Sequence, residues 1–456
     1  MPATAGARRH VHRVPQSARQ AKTSYPDFRA FDHRRSHAEA RGSSLRGAPL
    51  SSDRPAPADV VDWRRNLVIL FFAQFTAIFG FAFCFPFIPL YLSHDLGVHN
   101  AHDLALWTGV SGSATGLTSA LVSPLWGILA DRYGRKSMLM RAMIGGGLSV
   151  AFLALARNPL ELVVLRALQG AASGTVAATT TLVATGTPRE NVGRAMGVIS
   201  SAVALGSAVG PFAGGVAANY IPLRYVFLGG GVLLLIAVAP VIIGVKEAPI
   251  VRRVEAGRTS LRDVLRVAGP GTALAVLVLL VSQSLLQISW SGGQPLISLR
   301  LLQLAPGSAA GVTGIAFAAS GVASAIAGIG YSRLAASTGY RWLAAAAALA
   351  AAASLVLMGL APTVVLVVVA TFLAGLCIGA ALPAITAMLG LETPPEIQGR
   401  VFGLSASATA LGFGLGPLLA GTIAGVFSVP AGLFTMAAVA LLLAGVVAVA
   451  AREPAQ

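Results

Sequence analysis

Residues 127–136 read Gly-Ile-Leu-Ala-Asp-Arg-Tyr-Gly-Arg-Lys, and this stretch indicates what kind of protein the chain is. It closes a long apolar run and holds one acid, three cations and two glycines within ten residues. A helix that crosses a bilayer carries few charges until it reaches water. The stretch therefore marks a point at which a membrane helix meets an aqueous face.

The composition excludes a soluble protein. Of the 456 residues, 55% are hydrophobic and 11% are charged, whereas soluble domains carry about 25% charged residues. The net charge of +16 would indicate nucleic-acid binding only if the cations formed one patch. They lie instead in a basic N-terminal segment and in short gaps between apolar runs, which is typical of membrane topology. We therefore expect the lipid bilayer, and no nucleic acid, as a partner.

From Asn66 onward the chain is a series of apolar runs, each near the roughly 20 residues that a membrane-spanning helix needs. The pattern predicts an all-α integral membrane protein with twelve transmembrane helices. The predicted spans are 66–92, 104–130, 137–156, 159–184, 193–218, 224–245, 270–298, 309–333, 341–360, 363–390, 400–426 and 430–451.

The cations predict the orientation of these spans. If the N-terminus lies inside, 29 of the 33 Lys and Arg fall in cytoplasmic segments, and Arg157, Arg224 and Arg300 alone fall outside. Cytoplasmic loops of membrane proteins carry such an excess of Lys and Arg. We therefore predict a multi-pass protein of the cell membrane with both termini in the cytoplasm.

An internal repeat divides the chain. Residues 187–197 (TPRENVGRAMG) match residues 393–403 (TPPEIQGRVFG) at a spacing of 206, and Gly210-Pro211 matches Gly416-Pro417. The predicted domains are a disordered basic tail (1–62), a six-helix half (63–245), a cytoplasmic linker (246–268) and a second six-helix half (269–456). A parallel repeat of this kind implies pseudo-symmetric halves related by an axis along the membrane normal.

Few residues offer catalytic or metal chemistry. Cys84 and Cys377 sit alone in apolar runs, and none of the 17 acids lies deep in a predicted span. We expect no metal site, no cofactor and no enzyme activity.

Predicted helix 159–184 carries Arg166 about 10 Å from its outer end, at 1.5 Å per residue. An arginine at this depth either faces the protein interior and has a function or extends to the outer surface. Gln169 and Gly170 share its face. The acid nearest to it in this helix is Glu161, five residues before it and not on the same face.

Predicted helix 193–218 carries small residues at a spacing that lets another helix approach closely, together with a proline that bends it. These residues are Gly206, Gly210, Pro211, Gly214 and Gly215.

Aromatic and amide side chains form two stripes that are candidates for the wall of a substrate cavity. The first helix carries phenylalanine at every fourth position, and the seventh carries glutamines on one face. Each stripe has a second interpretation, which is helix or lipid packing for the rings and hydrogen bonding between helices for the amides. The candidates are Gln74, Phe79, Phe83, Gln169, Gln283, Gln287 and Trp290.

Over residues 66–451 the chain resembles the major facilitator superfamily, and within it the twelve-helix drug:proton antiporter branch, which includes bacterial multidrug and tetracycline-type exporters. Residues 127–136 match its loop signature, Arg166, Gln169 and Gly170 match its second signature, and the glycine-proline pattern resembles its antiporter signature.

The resemblance implies alternating access and a charged latch between the halves. In the family, the acid at the position of Asp131 caps the start of the eleventh helix, near Gly399 and Arg400. The implied latch residues are Gly127, Asp131, Arg132, Gly134, Arg135, Lys136 and Arg400. The corresponding loop of the second half has Ala336 in place of Asp131, so the latch would be one-sided.

We therefore predict a monomeric secondary transporter that exports lipophilic or amphipathic small molecules by proton antiport. The proton is implied by the family, in which the arginine at the position of Arg166 is linked to proton transfer. The resemblance therefore makes Arg166 and Glu161 the proton-coupling candidates, whereas no acid deep in a predicted span supports them. The alternatives are a uniporter or importer of a metabolite and a membrane sensor that has lost transport.

Overall fold

The computed structural model of the protein describes residues 62–247, 261–394 and 397–453. Within these ranges the regular structure is helical, with fifteen α-helices and three single-turn 3-10 helices. The α-helices are α1 Trp63–Cys84, α2 Ile88–His94, α3 Ala101–Tyr133, α4 Arg135–Leu153, α5 Pro159–Ala172, α6 Thr175–Gly186, α7 Val192–Tyr220, α8 Leu223–Ile236, α9 Val238–Gly244, α10 Leu261–Leu304, α11 Ala309–Thr338, α12 Tyr340–Leu360, α13 Val364–Glu392, α14 Gln398–Val426 and α15 Val429–Ala450.

These helices confirm the predicted all-α membrane architecture. Eleven helices or helix pairs of the described chain are long and apolar enough to cross a bilayer. The remaining predicted span corresponds to α4, whose 19 residues include the cations Arg135, Lys136 and Arg141. Three predicted spans are each built from two helices, namely α1 with α2, α5 with α6, and α8 with α9. A 3-10 turn at Phe85–Phe87 joins the first pair, where Pro86 predicts a bend.

We call the end of the bundle that holds residues 127–136 the inner end and the opposite end the outer end. Four helices that start at the outer end are capped by their own preceding side chains, which accept hydrogen bonds from the first free N–H groups. The caps of α3, α5, α13 and α15 are Asn100, Asn158, Thr363 and Ser428.

Packing within the first half buries large side chains near the outer end. Tyr91 and Phe227 are fully buried, with ring centroids 4.9 Å apart. The Tyr91 hydroxyl donates to the carbonyl oxygen of Leu153 at 3.0 Å, so its polar group is satisfied. This contact joins the first, third and sixth spans into one unit.

The junction between the halves differs from the predicted linker 246–268. Helix α10 begins at Leu261, because Leu-Arg-Asp-Val-Leu-Arg-Val-Ala (261–268) contains no glycine or proline and favours a helix. Residues 248–260, and residues 1–61 of the predicted tail, lie outside the described part of the chain.

Candidate functional site

A central cavity of about 800 Å³ lies between the two halves. Its wall combines aromatic rings with hydroxyl and amide groups. The rings are those of Phe81, Phe85, Phe317 and Phe413, and the polar side chains include Thr108, Ser111, Thr115, Ser119, Ser291, Gln294 and Ser298. Cavities of 300–1,000 Å³ with apolar walls and a few polar groups are typical of small-molecule sites.

Of the described residues that line this cavity, Arg166 is the one that carries a charge. It is 7% exposed, and its Nη1 donates to Oε1 of Gln169 at 2.8 Å. The guanidinium carbon lies 4.5 Å from the centre of the Phe85 ring. A guanidinium stays protonated in proteins, and the aromatic face and the amide oxygen stabilise the cation. The cavity therefore carries one fixed positive charge.

Gly170 fixes the position of Arg166 by bringing α5 against α3. A Cβ at Gly170 would lie 2.2 Å from the carbonyl oxygen of Thr115, so no larger residue fits. Thr115 donates its hydroxyl to the Arg166 carbonyl at 3.0 Å, and Thr118 donates to the Ala167 carbonyl at 2.8 Å. These contacts explain why Gln169 and Gly170 accompany Arg166 in the sequence.

The phenylalanine stripe lies away from the lining of the central cavity in this structure. Phe79 and Phe83 stack on each other, with centroids 5.8 Å apart. Their backbone atoms pack against Gly210, and the Phe83 carbonyl would lie 1.9 Å from a Cβ at Gly214. The second interpretation, helix packing, accounts for these two rings, and the rings that do line the cavity lie two residues further along at Phe81 and Phe85.

The glutamines that were candidates for the cavity wall lie in polar contacts between helices. Thr179 donates to Oε1 of the buried Gln74 at 2.8 Å, which links α1 to α6. Gln283 bonds to Ser405 and Thr386, and so joins α10 to α14 and α13. Gln169 holds Arg166 as described above.

Gln287 and Trp290 also lie outside the lining of the central cavity. Gln287 is buried, with its Cβ at the position where Gly412 of α14 approaches α10. Trp290 lines a smaller apolar pocket inside the second half, beside Leu286, Met358 and Cys377. Gln294 lines both this pocket and the central cavity. Among the glutamines on this face of α10, Gln294 is therefore the one that lines the central cavity.

Glu161 caps α5, and its hydrogen bonds are to Arg157 and Asn158 rather than to Arg166. Its Oε2 accepts from the Arg157 N–H at 2.9 Å, and its Oε1 accepts from Nδ2 of Asn158 at 2.8 Å. The Glu161 N–H in turn donates to the Asn158 side chain. This reciprocal cap gives the carboxylate a structural role at the outer end.

Glycine contacts close the cavity toward the outer end at two pseudo-symmetric points. On one side, Gly215 of α7 meets Gly314 of α11. On the other side, Gly421 of α14 meets Gly109 of α3. The pairs are related by the internal repeat, because 215 and 421 are 206 apart and 109 and 314 are 205 apart. Gly206, Gly210 and Gly214 pack instead against α1, so the glycine pattern serves two different neighbours.

The inner ends of the same helices stand free. A Cβ added at Gly127, Gly193, Gly399 or Gly403 would meet nothing within 4 Å. Arg400 is exposed, while the side chain of Asp131 lies outside the described part of the chain. The structure therefore has an outer end that is closed by contacts between the halves and an inner end at which these glycine positions are uncovered.

Two carboxylates that the sequence analysis did not single out organise the inner end. Glu247 accepts from the N–H groups of Arg135 at 2.8 Å and Lys136 at 3.0 Å, and so caps α4. Glu453 accepts from the N–H groups of Tyr340 at 2.7 Å and Arg341 at 2.9 Å, and caps α12.

These two caps are equivalent under the repeat. Glu247 and Glu453 are 206 residues apart, a spacing that could have revealed them. Gly134 and Gly339, which precede the capped helices, have positive φ angles of 94° and 83°. A side chain at either position would be strained and would press on the capping carboxylate, so glycine is required there.

The span that carries Arg166 is broken near its middle. Helix α5 ends at Ala172, and Gly174 has φ 126° before α6 begins at Thr175. The freed carbonyls are satisfied from neighbouring helices: Trp126 donates to Ala171 at 2.7 Å, and Arg141 donates to Ala172 at 2.9 Å. The Arg141 guanidinium also lies 3.5 Å from the centre of the Trp126 ring, which fixes the break.

Comparison with known proteins identifies relatives over most of the chain. The family model of the Major Facilitator Superfamily matches residues 70–288 and 279–456. The chain is 31% identical over 382 residues to the multidrug resistance protein MdtG of Escherichia fergusonii, covering 82% of this chain and 90% of that protein. It is 30% identical, with the same coverage, to MdtG of Escherichia coli O1:K1 / APEC.

Solved structures share the fold at lower identity. The human organic anion transporter MFSD10 aligns with a TM-score of 0.63 at 20% identity, over 85% of this chain and 99% of that one. The nucleoside transporter NupG aligns with a TM-score of 0.64 at 16% identity, over 84% and 96% of the two chains.

Proposed function

Because the chain belongs to the major facilitator superfamily, we propose that it is a secondary transporter that exports lipophilic or amphipathic small molecules, as a multidrug exporter does. The observation that carries the proposal is the central cavity between two repeated halves, closed at one end and open at the other. Such a cavity can load at one face and release at the other when the halves rock about it. The similarity to the multidrug resistance protein MdtG supports export of drugs.

Transport by alternating access requires that the closed end open and the open end close. In this structure the two glycine pairs form the closed outer gate. The proposed inner gate consists of the latch residues, with Asp131 facing the start of α14 near Arg400 once the halves close. A carboxylate at a helix N-terminus stabilises by about 0.3–2 kcal/mol, which is small enough for the latch to release in each cycle.

The proposed orientation has both termini in the cytoplasm of a cell whose inner or plasma membrane holds the protein as a monomer. The distribution of Lys and Arg supports it, since the inner end then faces the cytoplasm. With that orientation the open cavity faces the cytoplasm, where an exporter must collect its substrate.

Proton antiport is the proposed energy source. The support is the family resemblance of Arg166 and of the glycine-proline pattern, as the drug:proton antiporters carry both. A uniporter is the second candidate, and a specific observation favours it: the described residues that line the cavity include no carboxylate to load and release a proton.

Everted membrane vesicles from a host without its own exporters test the proposal. The vesicle interior corresponds to the cell exterior, so acidifying it should drive a lipophilic dye inward against its gradient. A protonophore should abolish this accumulation, and vesicles without the protein serve as the control. Dye flux that only follows its own gradient and ignores the protonophore would establish the uniporter; no flux for any compound would refute transport.

A further inference from the structure

Arg166 is a buried charge that lacks a counter-charge. Across the described part of the chain it is the one charged residue that is buried, and the ion pair found there joins Asp95 to Arg224 instead. Burial of a charge is costly unless an opposite charge or several hydrogen bonds compensate it. Arg166 has one hydrogen bond, to a neutral amide, and its Nε has no partner. Its other donors leave capacity for a ligand.

Three other partly buried arginines show what compensation looks like in this protein. Arg141, Arg300 and Arg341 also have an unpartnered Nε, but they donate to the carbonyls of Ala172, Ala361 and Ala448. These carbonyls lie at or near the C-terminal ends of α5, α12 and α15, where the helix dipole is negative. Arg166 lies in the middle of α5 and has no such partner.

Two hydroxyl groups in the lining of the same cavity are also without partners. Oγ1 of Thr108 on α3 and Oγ of Ser298 on α10 are buried and make no hydrogen bond in the structure. Both residues line the central cavity together with Arg166. Buried hydroxyls are normally bonded, so unpartnered ones on a cavity wall indicate places where a ligand binds. Both can donate to an acceptor oxygen.

We infer that the substrates are lipophilic organic anions, whose carboxylate or sulfonate binds Arg166, Thr108 and Ser298. This inference rests on the proposed function and names its substrate class. The anion supplies the missing counter-charge and accepts the unused N–H and O–H donors. The hydrocarbon part lies against the rings of Phe81, Phe85 and Phe413, which line the same cavity.

The lining of the cavity disfavours cations. Among the described lining residues no aspartate or glutamate offers a partner to an ammonium group, which would face Arg166 in a poorly hydrated site. A neutral isostere would fill the apolar space but leave the guanidinium uncompensated. The expected order of affinity is therefore anion, then neutral compound, then cation.

A matched set of three probes tests this order on the full-length purified protein. The probes are 2-naphthylacetate, 2-naphthylacetamide and 2-(2-naphthyl)ethylammonium, which share one ring system and differ in charge. A hydrogen bond to a charged group corresponds to about tenfold or more in affinity. We expect the carboxylate to bind at least about tenfold more tightly than the amide, and the ammonium to bind most weakly.

Variants of the lining residues test which side chains produce the preference for the carboxylate. Arg166→Gln should abolish the preference for the carboxylate and leave amide affinity within about threefold, whereas Arg166→Lys should retain part of the preference. Thr108→Val should weaken carboxylate binding by about three- to tenfold, as expected for one lost hydrogen bond. Thr313→Val is the matched control, because the Thr313 hydroxyl is also buried and unpartnered but does not line the cavity.

The outcomes separate this inference from the proposed function. Carboxylate binding that depends on Arg166 but leads to no transport would support the anion site and refute the exporter. Transport of the dye without any preference for the anionic probe would support the exporter and overturn the anion site. Equal selectivity in wild type and Arg166→Gln would also overturn it. If Arg166→Gln does not fold, the order of the three affinities in the wild type still decides.

Discussion

Replacing Gly421 by alanine should open the outer end of the transporter. In the structure, a Cβ at position 421 would lie 2.6 Å from the Gly109 Cα and 2.7 Å from the Ala105 carbonyl oxygen. Carbon atoms in contact lie about 3.5–4.0 Å apart. Helices α3 and α14 must therefore separate by roughly 1 Å at this point, because the opposing atoms belong to the backbone and cannot move as a side chain does.

The size of the effect follows from the cost of overpacking, which is about 1–3 kcal/mol. Only the state in which α3 touches α14 bears this cost. The ratio of outward-open to inward-open molecules should therefore rise by about 5- to 150-fold.

Pulsed electron spin resonance distances between nitroxides at positions 101 and 427 measure this ratio. Both residues are exposed and lie at the outer ends of α3 and α14, in different halves. The buried Cys84 and Cys377 are first replaced by alanine. The long-distance population should grow in Gly421→Ala and stay unchanged in Gly445→Ala, a helical glycine with no neighbour within 4 Å. A folded Gly421→Ala protein with the wild-type distance distribution would refute the backbone contact as the outer gate.

Four further predictions address other features. Glu453→Gln should weaken the cap of α12 and lower stability by about 0.5–2 kcal/mol, measured as a lower melting temperature that a Glu392→Gln control does not show. Gly174→Ala should cost about 1–3 kcal/mol, because φ of 126° strains alanine, and a melting temperature equal to that of the wild type would contradict the strained break. Partial burial raises the pKa of Asp95 above its ordinary value by more than the Arg224 charge 3.5 Å away lowers it. The ionised carboxylate therefore lowers the stability of the fold above that raised pKa, and this cost disappears as the pH falls through it. Asp95→Asn should therefore melt at a higher temperature than the wild type at pH 7, and the difference in melting temperature should vanish at lower pH. Asp131→Asn should reduce the outward-open population in the same spin-label experiment, and an unchanged population would count against the latch.

The fold was accessible from the sequence because its two signals do not depend on packing. Apolar run length indicates the spans, and the spacing of 206 indicates the halves. The break at Gly174 was not predicted, since it depends on Trp126 and Arg141 reaching two carbonyls from other helices. Such contacts between elements distant in sequence leave no local pattern.

The cavity was predicted less well than the fold, for a related reason. Helical periodicity places Phe79 and Phe83 on one face of α1, but does not say which neighbour covers that face. The glycines of α7 cover it and turn Phe81 and Phe85 toward the cavity. The depth of Arg166 was a better guide, because the cost of a buried charge does not depend on which helix lies opposite.

The equivalent caps at Glu247 and Glu453 bear on how the protein can be assembled. Each carboxylate ties the end of the sixth span of its half to the start of the third span of the same half. Neither tie uses a residue of the other half, so a chain cut between Glu247 and Leu261 would keep both. The two halves should therefore be able to insert as separate polypeptides and associate through the glycine crossings. Co-expression of two such fragments would provide a transporter whose halves can be labelled, mutated or exchanged independently.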